Sequence, residues 1–179
     1  MSAICVYCAS GRQVAQPYLD LAAELGTAIG SAGHTLVSGG GNVSMMGAVA
    51  AATRAAGGPT VGIIPRTLME REVADLDADE LVITETMRER KKMMDDRADG
   101  FITLPGGIGT LEELFETWTG GFLGIHTKPI VLLDPDDFYR PLLSWLQGLV
   151  ASGFVAQSSL DRLAVTDSVE GALRLATAR

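Results

Sequence analysis

The sequence predicts an α/β protein: a doubly wound, Rossmann-like parallel sheet with helices on both faces. Three observations carry this expectation. The strand-like runs are apolar throughout rather than alternating, as strands buried on both faces are. Helical stretches separate these runs, as crossovers between parallel strands require. Glycine-rich loops follow three of the strands and lead into helices, at the carboxyl ends where such sheets bind ligands.

The elements follow in order. Residues 3–8 read as a first strand, and 16–32 as a helix with Leu21, Leu25 and Ile29 at spacings of four. A second strand is expected at 34–38, an Ala-rich helix at 44–56 and a third strand at 60–64. A short strand at 81–84 precedes a helix over 86–99, whose start carries the capping box Thr86-x-x-Glu89. Strand 101–104, helix 110–123, strand 129–133 and helix 138–152 come next, and strand 163–165 with helix 169–177 closes the pattern.

The bulk numbers agree with one domain spanning 1–179, 47% hydrophobic and 20% charged, with no low-complexity segment. The net charge of −8 argues against a nucleic-acid surface, which demands clustered Lys and Arg, but leaves room for a small phosphorylated ligand. The start MSAICVYCASG lacks a basic leader and a long apolar core, and no apolar run approaches the length of a membrane span. The cytoplasm is the expected location. Cys5 and Cys8 form a C-x-x-C, but on a strand they point to opposite faces and have no second pair, so they read as small buried apolar side chains.

Three loops carry the chemistry: Cys8-Ala9-Ser10-Gly11, then Ser38-Gly39-Gly40-Gly41-Asn42 ahead of Ser44-Met45-Met46-Gly47, then Pro105-Gly106-Gly107-Ile108-Gly109-Thr110. Glycines before a helix let main-chain amides approach an anion, and the positive end of the helix dipole adds to the attraction. The alternative is that the glycines only permit tight turns. A Walker-type phosphate loop, G-x-G-x-x-G after the first strand, G-x-S-x-G and H-E-x-x-H are all absent.

Two charged residues stand out. On a helix starting at Thr110, the residues Leu111, Leu114, Phe115, Trp118 and Phe122 share a core face, and Glu113 points nearly the opposite way. Glu113 fits a capping box, Thr110-x-x-Glu113, or a carboxylate that stabilises an oxocarbenium-like centre beside a sugar ring. Arg88, Arg90, Lys91 and Lys92 fall in the first turns of their helix, where cations oppose the macrodipole. Arg90 shares a face with Met87 and Met94, as a snorkelling arginine would or as one directed into a ligand site.

Met87-x-x-Arg90-Lys91, followed fifteen residues after Arg90 by Pro105-Gly106-Gly107-x-Gly109-Thr110-x-x-Glu113, resembles the paired signature of the LOG (Lonely guy) family. The segments VYCAS, SGGG-x-x-x-MMG, FLGIHTKPIVLLD and LVASGF resemble the same family in the same order, and the wording is nearest to actinobacterial members. The family's members are cytokinin riboside 5′-monophosphate phosphoribohydrolases. The resemblance implies hydrolysis of an N6-modified adenosine 5′-monophosphate, such as isopentenyladenosine monophosphate, or of AMP, to free base and ribose 5-phosphate. It implies Arg90 and Glu113 as the catalytic pair. Gly107, Gly109 and Thr110 would hold the 5′-phosphate, with Ser10, Gly40 and Gly41 as further cradle and Met87 and Arg88 near the base. Lys91 and Gly106 complete the implied substrate-binding set. The resemblance further implies a homodimer, and no metal or cofactor. Departures from the plant pattern stand at Arg88, where a histidine is usual, and at Met45, where a leucine is. The family's older label, lysine decarboxylase, would need a pyridoxal-binding lysine, and this chain offers only Lys91, Lys92 and Lys128. The alternatives are a non-catalytic carrier of a nucleotide or of the molybdenum cofactor on the same fold, and a structural homo-oligomer with vestigial loops.

Overall fold

The computed structural model describes residues 1–70 and 73–178. The elements run β1 (Ala3–Tyr7), α1 (Gln16–Ser31), β2 (Thr35–Ser38), α2 (Ser44–Ala55), β3 (Thr60–Pro65), β4 (Glu80–Thr84), α3 (Met87–Arg97) and β5 (Gly100–Thr103). After them come α4 (Ile108–Phe122), β6 (Ile130–Leu133), α5 (Arg140–Ala151), α6 (Gln157–Leu160), β7 (Leu163–Thr166) and α7 (Val169–Ala176). All strand pairs are parallel, in the order β4-β3-β2-β1-β5-β6-β7. This is the doubly wound sheet expected. The order reverses between β1 and β5, which lie side by side with Tyr7 opposite Thr103. The connections diverge there and leave a crevice beyond the strand ends.

The alternation of β1 divides the core. Ile4, Val6 and Cys8 pack with Leu25 and Ile29 of α1, Val49 of α2 and Ala172 of α7. Cys5 and Tyr7 pack on the other side with Met94 of α3, Leu114 and Trp118 of α4 and Leu146 of α5. The two cysteines are free, buried and on opposite faces, as their spacing predicts. Helices α1 and α2 approach closely at Gly26, where a Cβ would lie 2.3 Å from the carbonyl oxygen of Val49.

Several expectations need correction. A 3-10 turn at Arg66–Leu68 and the one-turn α6 were not anticipated; both are too short to display a period. Helix α4 begins at Ile108 with Gly107 as its N-cap and no side-chain cap, so Thr110-x-x-Glu113 is not a capping box. Thr110 lies in the first turn, buried against Gly106, whose added Cβ would fall 2.2 Å from the Thr110 Oγ1. Nor does Glu113 point away from the core. The buried side of α4 is Thr110, Leu114, Thr117, Trp118 and Gly121, and Glu113 flanks it, three residues from Thr110 and four from Thr117. Phe122, expected in the core, is 55% exposed. The capping box at Thr86 does form: the Glu89 amide donates to Thr86 Oγ1 at 3.1 Å, and the Thr86 amide donates to Glu89 Oε2 at 3.2 Å.

Candidate active site

A cleft of about 580 Å³ opens over the carboxyl ends of β1 and β5. Its walls include Ser10, Met87, Arg90, Gly106, Gly107, Gly109, Thr110 and Glu113 from the expected site, with Met45, Met46, Leu68 and Phe138 as apolar lining. Gly40, Gly41, Arg88 and Lys91 do not line it.

The loop after β5 forms one end of the cleft. The first amide bonded within α4 is that of Leu111, which donates to the Gly107 carbonyl at 3.0 Å. The amides of Ile108, Gly109 and Thr110 come before it, where a helix offers them no acceptor. Gly107 has φ −95°, which any residue adopts, and neither it nor Gly109 would bring a Cβ within 4 Å of another atom. Neither a turn nor packing requires glycine at these two positions. Bare backbone there leaves the amides accessible to an anion at the positive end of the dipole.

The same loop is held from beneath. Tyr139, 2% exposed, donates its hydroxyl to the Leu104 carbonyl at 2.7 Å. The Asp134 carboxylate in turn accepts the amides of Phe138 at 2.7 Å and Tyr139 at 2.8 Å. Burial first, and then the Asp134 charge, raises the Tyr139 pKa, so the phenol stays protonated and donates. This support was missed at the level of sequence. Its signal was an aspartate directly after an apolar strand and ahead of a helix, Asp134-Pro135-Asp136-Asp137-Phe138-Tyr139.

Arg90 and Met94 are the buried residues of α3. Arg90 is 4% exposed, and its Nε donates to the Ile63 carbonyl at 3.1 Å while Nη2 donates to the Gly39 carbonyl at 2.9 Å. Its Nη1 lies 3.8 Å from the Met87 sulfur. The second glycine loop thus serves the arginine rather than lining the cleft. A Cβ on Gly39 would lie 1.9 Å from Arg90 Nη2. Gly40 sits at φ +72°, a conformation that favours glycine.

Glu113 stands between the cleft and a second cavity of about 210 Å³, lined also by Tyr7, Arg88, Lys91, Thr117 and His126. Beside it Tyr7 and Thr117 share a hydrogen bond at 2.9 Å. The Cys5 thiol is pushed up by burial and then by the Glu113 charge, with Arg90 pulling the other way. The Cys8 thiol is pushed up by burial and again by Glu113. Lys91 is engaged by the carboxylates of Glu112 and Glu116. Partial burial lowers its pKa, but the hydrogen bonds and charges of those two glutamates more than offset this and raise it. Among the described residues, no three His, Cys, Asp or Glu side chains group so as to hold a metal ion. Nor is any described helix long and apolar enough to cross a membrane.

A family model described as "Possible lysine decarboxylase" matches residues 46–176, more than half of the chain. The cytokinin riboside 5′-monophosphate phosphoribohydrolase of Mycobacterium tuberculosis is 56% identical over 171 residues, 96% of this chain and 91% of that protein. The chain belongs to the LOG family. The Mycobacterium marinum LOG protein of the same name is 53% identical over 171 residues, again 96% of this chain and 91% of its own. The fold extends beyond LOG enzymes. The molybdenum cofactor binding protein of Rippkaea orientalis superposes with a TM-score of 0.73 at 27% identity, covering 97% of this chain and 94% of its own.

The lysine-decarboxylase description does not suit the lysines of this LOG protein. None of Lys91, Lys92 and Lys128 lines the cleft: each is held by carboxylates elsewhere, Lys91 by Glu112 and Glu116, Lys92 by Asp96 and Lys128 by Asp95.

Proposed function

We propose that this chain hydrolyses the N-glycosidic bond of N6-modified adenosine 5′-monophosphates, and of AMP, to free base and ribose 5-phosphate. The observation that carries this reading is one cleft in which bare helix amides, a buried arginine and Glu113 converge. The 5′-phosphate rests on the amides of Ile108, Gly109 and Thr110, with the Ser10 hydroxyl beside it. The ribose then extends toward Glu113, and the base toward Met87 and the methionines of α2.

As the bond from C1′ to the base nitrogen breaks, its electron pair leaves with the base and positive charge develops at C1′. The Glu113 carboxylate stabilises that charge and orients water; the water oxygen bonds to C1′ and its proton is taken up by the carboxylate or the departing base. Arg90 fixes the nucleotide and favours departure of the base. Gly40 and Gly41 act through the loop that holds Arg90, and Lys91 steadies Glu112 and Glu116 on the outer face of α4. Arg88 lines the second cavity, on the far side of Glu113 from the cleft, so this reading gives it no contact with the base. The same reading includes a homodimer formed by helices near the cleft and a place in the cytoplasm.

Chromatography of the protein incubated with AMP and with isopentenyladenosine monophosphate tests the proposal, with Glu113→Gln beside it. Wild type should release free base from both. The variant should fold and bind nucleotide with turnover reduced roughly 10³-fold or more, the scale expected when a group that stabilises developing charge is lost. Nucleotide bound but not cleaved by folded wild type would favour the carrier reading instead, in keeping with the fold shared with the Rippkaea orientalis protein.

A further inference from the structure

We propose that Arg54 and Asp75, both outside the cleft, are positioning residues for Arg90 and act through the glycine loop after β2. The inference rests on the proposed role of Arg90. Asp75 is 2% exposed although Val73 and Leu76 nearby are 45% and 79% exposed. Its carboxylate takes both ends of the Arg54 guanidinium, at 2.7 Å from Nη1 and 3.2 Å from Nη2. Burying such a pair adds little stability, because desolvation offsets most of the attraction; its best-attested use is to fix one geometry among several.

The geometry fixed here is a rail. The Asp75 amide donates to the Gly40 carbonyl at 2.9 Å, Ala74 pairs antiparallel with Gly41, and the Asn42 amide donates to the Val73 carbonyl at 2.7 Å. Residues 73–75 thereby lock the loop from one side. From the other side the Gly39 carbonyl receives Arg90 Nη2. Gly40 also packs on Ile63, where an added Cβ would lie 2.9 Å from the Ile63 nitrogen, and the Ile63 carbonyl receives Arg90 Nε. Direct contacts therefore run from Arg54 to Asp75, to Gly40, and to both carbonyls that hold the arginine fork. Neither Arg54 nor Asp75 lines the cleft.

The test uses the intact chain and AMP. Changing the pair together, Arg54→Met with Asp75→Leu, leaves no uncompensated buried charge, so the fold and its melting temperature should survive. With the phosphate loop untouched, KM should change by less than about 3-fold. kcat should fall roughly 10- to 100-fold, the scale of a misplacement of about 1 Å in an active site. Arg54→Lys keeps the charge without the fork and should fall between wild type and the double variant. Arg97→Ala breaks an exposed ion pair with Glu80, 2.7 Å long, on the helix that carries Arg90, and should leave kcat within about 2-fold.

A folded double variant with wild-type kcat overturns the inference, as does an equal loss in Arg97→Ala. If the double variant fails to fold, Arg54→Lys decides, and wild-type kcat there overturns it. Wild type that releases no base from AMP overturns the proposed function and this inference with it, an outcome read separately from the variants.

Discussion

Arg90 is a cation whose fork is spent largely on main-chain carbonyls, and this makes a glycine that never touches the nucleotide a sensitive position. Gly39→Ala would set a methyl group 1.9 Å from Arg90 Nη2, so the arginine must move. The expected outcome is a loss of turnover close to that of Arg90→Ala, with folding stability lowered by about 1–3 kcal/mol for the hydrogen bond and packing displaced. Steady-state rates on AMP beside urea unfolding check both halves. At this scale the motif spacing singled out Glu113, Arg90 and the glycines of residues 106–109, which the structure brings to one cleft, but it misjudged where Glu113 faces. The buried stripe of α4 is built partly from Thr110, Thr117 and Gly121. Apolar periodicity does not register small and hydroxyl-bearing residues, so the stripe read from leucines and aromatics was rotated away from its true centre. The task of the second glycine loop was illegible for a related reason: glycines that cradle an anion and glycines that make room for an arginine look alike until the arginine is placed.

At the scale of elements, the start of α4 depends on α5. Tyr139 and Asp134 join the two, and their effect is to hold the Leu104–Gly106 turn beneath the cleft. Tyr139→Phe removes the donor to a buried carbonyl, at a cost of about 1–3 kcal/mol. It should also raise KM for AMP several-fold more than it lowers kcat, because the phosphate loop moves while Glu113, a turn further along, does not. Separate determination of kcat and KM is the check; equal changes in both would place the tyrosine in general stability instead. Long, strongly patterned elements were read within one or two residues of their ends, the usual uncertainty of helix and strand boundaries. The two that escaped, Arg66–Leu68 and Gln157–Leu160, are single turns held by local hydrogen bonds and not by any repeating apolar face.

For the molecule as a whole, strand order was beyond the sequence. A pattern of alternating strands and helices fixes the class, but the reversal between β1 and β5 comes from long-range pairing. Stability on acidification is also a property of the whole, and two groups at the β2 and β3 ends bear on it. His34 accepts the Ser2 amide at Nδ1, 3.0 Å away, and its pKa is lowered by burial and then by the N-terminal charge. The unfolded chain therefore takes up this proton first. The contribution is intact above the unfolded value of about 6.5 and declines as pH falls from there toward the folded pKa. Asp79 is lowered by hydrogen bonds from the Thr60 amide and hydroxyl, so its contribution holds above the unfolded carboxylate value and is lost as pH falls through the folded pKa. Melting temperature should thus fall in two stages on acidification. His34→Gln should flatten the upper stage and Asp79→Ser the lower; a profile unchanged by either variant would remove these groups as its cause.

The two cysteines have a use that their inertness creates. Both lie at the central strand, one on each side of the sheet, buried and with their thiols held protonated. Cys8 lines the cleft, but Cys5 is fully buried, so the rate at which a thiol-specific dye reaches Cys5 is a clock on the opening of the sheet itself. A nucleotide lodged over β1 and β5 should slow that clock in proportion to how tightly it is held, giving a measure of occupancy that needs no turnover.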